Sequence, residues 1–345
     1  MRARSDLLAP VLAGCVTALV GFSGSFPVVL AGLRAAGADA GQAASGLLAA
    51  SVAAGVVAIL MSRRVRMPLA MAWSTPGAAL LVSTGAPDGG FAAAVGAFLV
   101  CGALIVLTGL WGTLGRLIGA IPPALASAML AGVLLPICLA PVRAVVEIPW
   151  VAAPVVLVWA ALTRVSRQWA APGAIVAAVI AVAIDGPGDL SGLSLLPRLE
   201  VVSPTFLPAA IVSIALPLFI VTMASQNIAG MGVLASFGYR PRLGPILTAT
   251  GAATIAAAPF GSHAVNLASI SAALAANPDA HPDPDRRWLA AAVAGAGLIA
   301  LGLCAGIATA LVAASPAILV EAVAGLALLG ALAGALAAAL ADADR

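Results

Sequence analysis

Few side chains in this sequence are able to do chemistry, and those few sit in unusual places. "WSTPG" puts Ser74, Thr75, Pro76 and Gly77 in the middle of an uncharged run over 67–86. "APFGSHAVN" puts Gly261, Ser262, His263 and Asn266 in the middle of a second run, 255–274. "GFSGSF" holds Ser23 and Ser25, and "TMASQNIAG" holds Ser225, Gln226 and Asn227. These are hydrogen-bonding groups in hydrocarbon-like sequence, where each is costly unless it finds a partner. Their chemistry is recognition. No Ser-His-Asp set, paired carboxylates or phosphate loop accompanies them, so an enzyme is not expected. His263 is the one titratable side chain among them. An imidazole suits a proton relay near neutral pH; a neutral imidazole bonding substrate or backbone is the other reading. Of the few acidic residues near the spans, Glu321 is the plausible one and is a second proton candidate.

The loop "NPDAHPDPDRRW", 277–288, carries His281, Asp283 and Asp285. Its alternating prolines make a stiff turn, with Asp285 expected to cap the next helix, and no metal site is expected there. The cysteines at 15, 101, 138 and 304 fit no metal or disulfide spacing and are expected as small core residues. No cofactor is implied.

The elements that must position these groups follow from composition. Apolar residues make up 63% of the 345 and charged residues 8%; mean hydropathy is +1.14. A soluble protein carries about 25% charged residues. This chain must therefore use lipid as solvent, as an all-α polytopic membrane protein. The net charge of +3 comes from arginines scattered between spans, which read as topology signals and not as a nucleic-acid surface.

Spans are expected at roughly 8–33, 41–61, 67–86, 90–111, 119–139, 145–163, 171–185, 205–231, 243–257, 258–276, 286–311 and 316–340. With the N-terminus in the cytoplasm, alternation puts 13 of the 16 arginines inside. The outer three are Arg34, Arg143 and Arg198, as the positive-inside rule demands. The split survives only if 67–86 and 258–276 each cross once.

Both of those spans are broken. Thr75 is expected as an N-cap with Pro76 in the first helical position, so a half-helix starts in mid-membrane after an extended stretch over 68–73. Pro259 and Gly261 break the other span. Ser262 is expected to cap its half-helix, with His263 in the first turn and Asn266 one turn on. The first broken span is the third; the second is the third after span seven. An odd offset gives an inverted repeat of a seven-plus-seven kind, with the site at the midplane. Two half-helix N-termini offer orphan N–H groups and about half a positive charge each, a seat for an anion. The broken spans contain no Asp or Glu, as an anionic substrate requires.

"RMPLAMAWSTPGAALL", "SQNIAGMGVLASFGYRP", "APFGSHAVNLASISAAL" and "HPDPDRRWLAA" closely resemble the benzoate/proton symporter family, a relative of the uracil-permease-like superfamily. The resemblance covers nearly the whole chain. It implies a core domain, here 1–116 and 203–312, and a gate domain, here 117–202 and 313–345. It also implies proton-coupled uptake of benzoate or a similar aromatic carboxylate across a bacterial-type inner membrane. Carried over by position, Thr75, Pro76 and Gly77 start one half-helix, and Gly261, Ser262 and His263 the other. Ser23, Ser25, Gln226, Asn227 and Asn266 line the pocket or link helices, and Phe22, Phe26 and Phe260 are candidates for an apolar slot. The family usually has two further segments after span twelve, so the gate is expected to be incomplete. It also lacks the carboxylates that nucleobase relatives place in segments eight and ten. Transport of another anion or a nucleobase, a non-transporting membrane subunit, and pairing of two copies through the gate all remain open at this level.

Overall fold

The structure is a computed structural model that describes residues 2–112, 123–186 and 196–340. Helices dominate: α1 (Arg2–Ser23), α2 (Phe26–Ala35), α3 (Ala40–Val65), α4 (Thr75–Thr84), α5 (Gly90–Leu110), α6 (Pro123–Cys138), α7 (Ala140–Glu147), α8 (Pro149–Val165) and α9 (Arg167–Asp185). Then come α10 (Pro208–Ser236), α11 (Leu243–Ala257), α12 (Ser269–Ala276), α13 (Trp288–Gly302), α14 (Ala305–Ala314) and α15 (Ala317–Leu340). Two three-residue strands, β1 (Met71–Trp73) and β2 (Val265–Leu267), form a single antiparallel pair.

Among the described residues, eight helices are long and apolar enough to cross a membrane, or nine if one bent pair counts as a span. The twelve expected segments are accounted for differently. Spans three and ten are strand plus half-helix. Span six is the 17-residue helix Pro149–Val165. Span eleven bends by 55° between Pro284–Gly302 and Ala305–Ala314. Span one is two helices with a break at Gly24–Ser25. The start of span five (119–122), Arg116 and residues 341–345 lie outside the described residues.

Without a hydrophobic force between helices in lipid, close packing on small residues holds them together. α3 lies along α13, and α5 along α11. At the first seam Gly55 faces Gly295, and at the second Gly102 faces Gly251 and Gly109 faces Gly244. α6 packs along α15, and α8 along α9; α8, α9 and the first half of α15 share a second cluster around Val155, Ala174, Val182 and Leu326. The cysteines divide: Cys101 and Cys138 are buried, but Cys15 and Cys304 are exposed on the outer face, so only two are core residues.

A Cβ added at Gly251 would lie 2.7 Å from Val106 N and 2.8 Å from Gly102 O. Gly251→Val is therefore expected to cost about 1–3 kcal/mol by overpacking. In a thermal-shift assay in detergent its apparent Tm should fall by roughly 3–10 °C, whereas Gly232→Val, at a position open to space, should leave it unchanged.

Candidate functional site

The two broken segments meet in the interior. β1 and β2 pair with Met71 opposite Leu267, Ala72 opposite Asn266 and Trp73 opposite Val265. The ladder continues past both ends: Ser74 N donates to Ala264 O (2.8 Å), and Ala268 N to Ala70 O (3.0 Å). The extended stretch expected over 68–73 is thus a strand, and it can exist at that depth because its backbone groups find partners. The outer edge of β2 is satisfied by side chains. Val265 N donates to Thr254 Oγ1 (2.9 Å) and Leu267 N to Asn227 Oδ1 (3.0 Å).

Both half-helices start elsewhere than the sequence implied. In the first, Ser74 is the N-cap and Thr75 the first helical residue. Ser74 Oγ accepts from Gly77 N (3.1 Å) and from Thr222 Oγ1 (2.8 Å). Its carbonyl accepts from Ala78 N (2.8 Å) and from His263 Nε2 (3.0 Å). Pro76 has no N–H. The first turn of α4 is therefore nearly closed, leaving the Thr75 N–H and hydroxyl.

In the second, Ser262 does not cap a helix. Its hydroxyl donates to His263 O (3.1 Å), Gly261 makes a left-handed bend at φ +86°, and α12 begins only at Ser269 after the uncapped Ala268. Gly261, Ser262 and His263 precede β2 and open no helix. No acceptor is assigned to Ser269, Ile270 or Ser271 N–H among the described residues, so α12 holds the open donor end. A cavity of roughly 320 Å³, counted to its mouth, adjoins that end. Thr17, Gly21, Ala72, Trp73 and Ser271 are among its walls.

Among the described residues, three buried side-chain atoms lack a partner: His263 Nδ1, Asn266 Nδ2 and Asn266 Oδ1. Both residues are 0% exposed. Since a carbonyl only accepts, the bond to Ser74 O assigns the hydrogen of His263 to Nε2 and leaves Nδ1 as an acceptor. The ring stands edge-on to Phe98 at 6.4 Å. An unpaired buried amide costs about 1–3 kcal/mol per group, so the Asn266 amide lies where it costs stability.

The remaining predicted residues divide by role. Ser25 Oγ donates to Gly21 O (2.7 Å) and accepts from Trp73 Nε1 (2.9 Å). Phe22 lies 5.4 Å from Phe26, stacked, and 5.6 Å from Trp73, edge-on. Phe260 makes no ring contact with this group; its carbonyl accepts from Ser45 Oγ (2.9 Å). Ser23 bonds Leu19 O within its own helix (2.6 Å). Asn227 holds β2, and Gln226 is half-buried beside it in a π-helical stretch, Met223–Ile228. Trp73, Thr222 and Thr254 were missed, and Ser74 was named as part of the break but not as its cap. Ser74 was masked by the adjacent Thr75, an equally good cap, and Trp73 had only its being a lone ring in the segment to announce it. In the 277–288 loop, Asp283, and not Asp285, caps the following turn, accepting from Asp285 N (2.9 Å).

Residues 5–345 match the family model described as benzoate membrane transport protein. The chain belongs to that family. It is 38% identical over 323 residues to "Inner membrane protein YdcO" of Escherichia coli (strain K12), covering 93% of this chain and 82% of that one. It is 31% identical over 327 residues to "Benzoate membrane transport protein" of Acinetobacter baylyi, covering 94% and 83%. Among solved structures, the transmembrane domain of the cyanobacterial bicarbonate transporter BicA superposes with a TM-score of 0.68 at 16% identity, covering 96% of this chain and 89% of that one. That likeness is one of fold. This member of the benzoate transport family is a multi-pass inner-membrane transporter and not an enzyme.

Asn227 and Asn266 should separate experimentally. Asn227→Ala strands the Leu267 N–H and is expected to lose about 1–3 kcal/mol of stability. Asn266→Ala removes an amide that has no partner, and its thermal unfolding in detergent should match or exceed wild type. Equal losses for the two variants would contradict this assignment.

Proposed function

We propose that this protein is a secondary active transporter that takes up benzoate or a similar aromatic carboxylate together with protons. The observation that carries the reading is the unpaired, fully buried Asn266 amide beside the uncapped start of α12. A carboxylate there accepts from Asn266 Nδ2 and from backbone N–H groups at the positive end of a helix dipole, with no acidic neighbour to repel it. Support for an aromatic acid comes from the family description and from the name of the Acinetobacter relative. Trp73, whose ring meets Phe22, is among the walls of the cavity at the start of α12 and supplies apolar contact.

His263 is the proton carrier on this reading. Its Nε2 is occupied by Ser74 O while Nδ1 is free to take a proton. A proton on Nδ1 would place a cation near the carboxylate and so couple the two. The repeat is inverted, the core comprises α1–α5 and α10–α14, and the gate comprises α6–α9 with α15. Between them lies a cavity of roughly 390 Å³, counted to its mouth, lined by Phe26, Ile175, Val312 and Val323; its presence suits two bodies that slide past each other. On this reading the N-terminus is cytoplasmic, which the arginine distribution supports.

The test is uptake of labelled benzoate into proteoliposomes with an imposed pH gradient, acid outside. Wild type should concentrate benzoate. His263→Ala should still bind it but should lose most of the gradient-driven accumulation. Accumulation by His263→Ala equal to wild type removes His263 as the relay. Uptake of sulfate or a nucleobase but not benzoate overturns the substrate assignment.

A further inference from the structure

Arg287 is 7% exposed, unusually buried for a loop arginine. Its Nε donates to His281 O (2.7 Å), Nη1 to Ala276 O (3.0 Å) and Nη2 to Pro282 O (3.5 Å). Among the described residues no carboxylate is within salt-bridge distance of it. A buried guanidinium answered by carbonyls and by the Tyr239 hydroxyl, with no carboxylate partner, is costly to place, so its position is specified by what it holds.

What it holds is the end of α12. Ala276 is the last residue of that helix. The final carbonyls of a helix lack intrahelical donors and form the negative end of its dipole; Arg287 answers both needs. The help matters because α12 has eight residues, far too few to be stable alone. Its opposite end, where the N–H groups of Ser269, Ile270 and Ser271 have no assigned acceptor among the described residues, adjoins the cavity through Ser271. The same loop is tied to the region after α10, where Tyr239 Oη donates to Pro284 O (2.7 Å). Burial pushes the Tyr239 phenol above its usual range, with nearby Arg287 acting in the opposite direction. α10 also carries Asn227, which grips Leu267. The unit of β2 and α12 is thus fastened at its middle through Asn227 and at its far end through Arg287.

We propose that Arg287 is a positioning residue: it fixes the axial position of α12 and thereby where the donor end of that helix meets the transported ligand. The ligand part of this rests on the function proposed above; the mechanical part does not. Arginine is required because its planar fork reaches several carbonyls at once, which the point charge of lysine does not.

Arg287→Lys, purified into lipid nanodiscs, tests both parts. Hydrogen–deuterium exchange of the amides in 269–276 should speed up roughly tenfold, with α3 and α5 unchanged. In proteoliposomes, KM for benzoate should rise several-fold while the maximal rate falls less. Exchange in α12 as slow as wild type, or faster exchange spread evenly over the protein, overturns the proposal; so does an unchanged KM alongside normal benzoate uptake. If wild type does not carry benzoate, the substrate assignment falls and the exchange data still decide the role of Arg287. Should Arg287→Lys fail to fold, Arg287→Gln is read by the same exchange measurement with the same expected and contrary outcomes.

Discussion

The centre of this protein depends on three residue pairs, Met71–Trp73 against Val265–Leu267. Backbone that leaves a helix in a lipid setting must find partners inside the protein, because no water is there to supply them. Each broken segment supplies what the other lacks. The free edge of β2 is then satisfied by Thr254 and Asn227, and Ser74 binds the turn into α4 to both Thr222 and His263. Removing the pairing would leave two unpaired strands in an apolar interior, at several kcal/mol per exposed group. The half-helices can start where they do only because this pairing exists.

The pairing is symmetric, but the two helix starts are not. α4 closes its own first turn through Ser74 and Pro76, while α12 follows an alanine that caps nothing. Among the described residues, the buried side-chain polar atoms left without partners belong to the second segment, on Asn266 and His263. On the proposed reading the second segment recognises the substrate and the first mainly scaffolds it. α10 serves both: its π-helical stretch turns Asn227 toward Leu267, and Thr222 just before it reaches Ser74. Such π-helical insertions recur at functional sites for this reason.

The spans were legible in the sequence because lipid demands long apolar runs, and Pro76, Pro259 and Gly261 betrayed the two breaks. The extended approach to α4 was legible from the same signals. What was hidden depended on partners distant in sequence. No local pattern says that Met71 will lie opposite Leu267. Ser74 and Thr75 are equivalent as caps from sequence, and proline is tolerated at either of the first two helical positions, so the start shifted by one residue. Ser262 resembled a cap, but Gly261 turns the chain so that its hydroxyl serves His263 O instead. The half-helix therefore begins six residues later than expected, at a position with no cap to advertise it. Ser25 and Asn227 were expected to line the pocket or link helices, and here they bond Trp73 Nε1 and Leu267 N, partners that no local pattern announces.

The most direct test is an experimental structure with 4-iodobenzoate bound, the iodine marking the ring and the density locating the carboxylate. The account predicts the carboxylate within hydrogen-bond reach of Asn266 and the first turn of α12, with the ring toward Phe22, Phe26 and Trp73. A carboxylate bound away from these residues, as in the apolar cavity beside Phe26 and Val323 with Asn266 still unpaired, would contradict it.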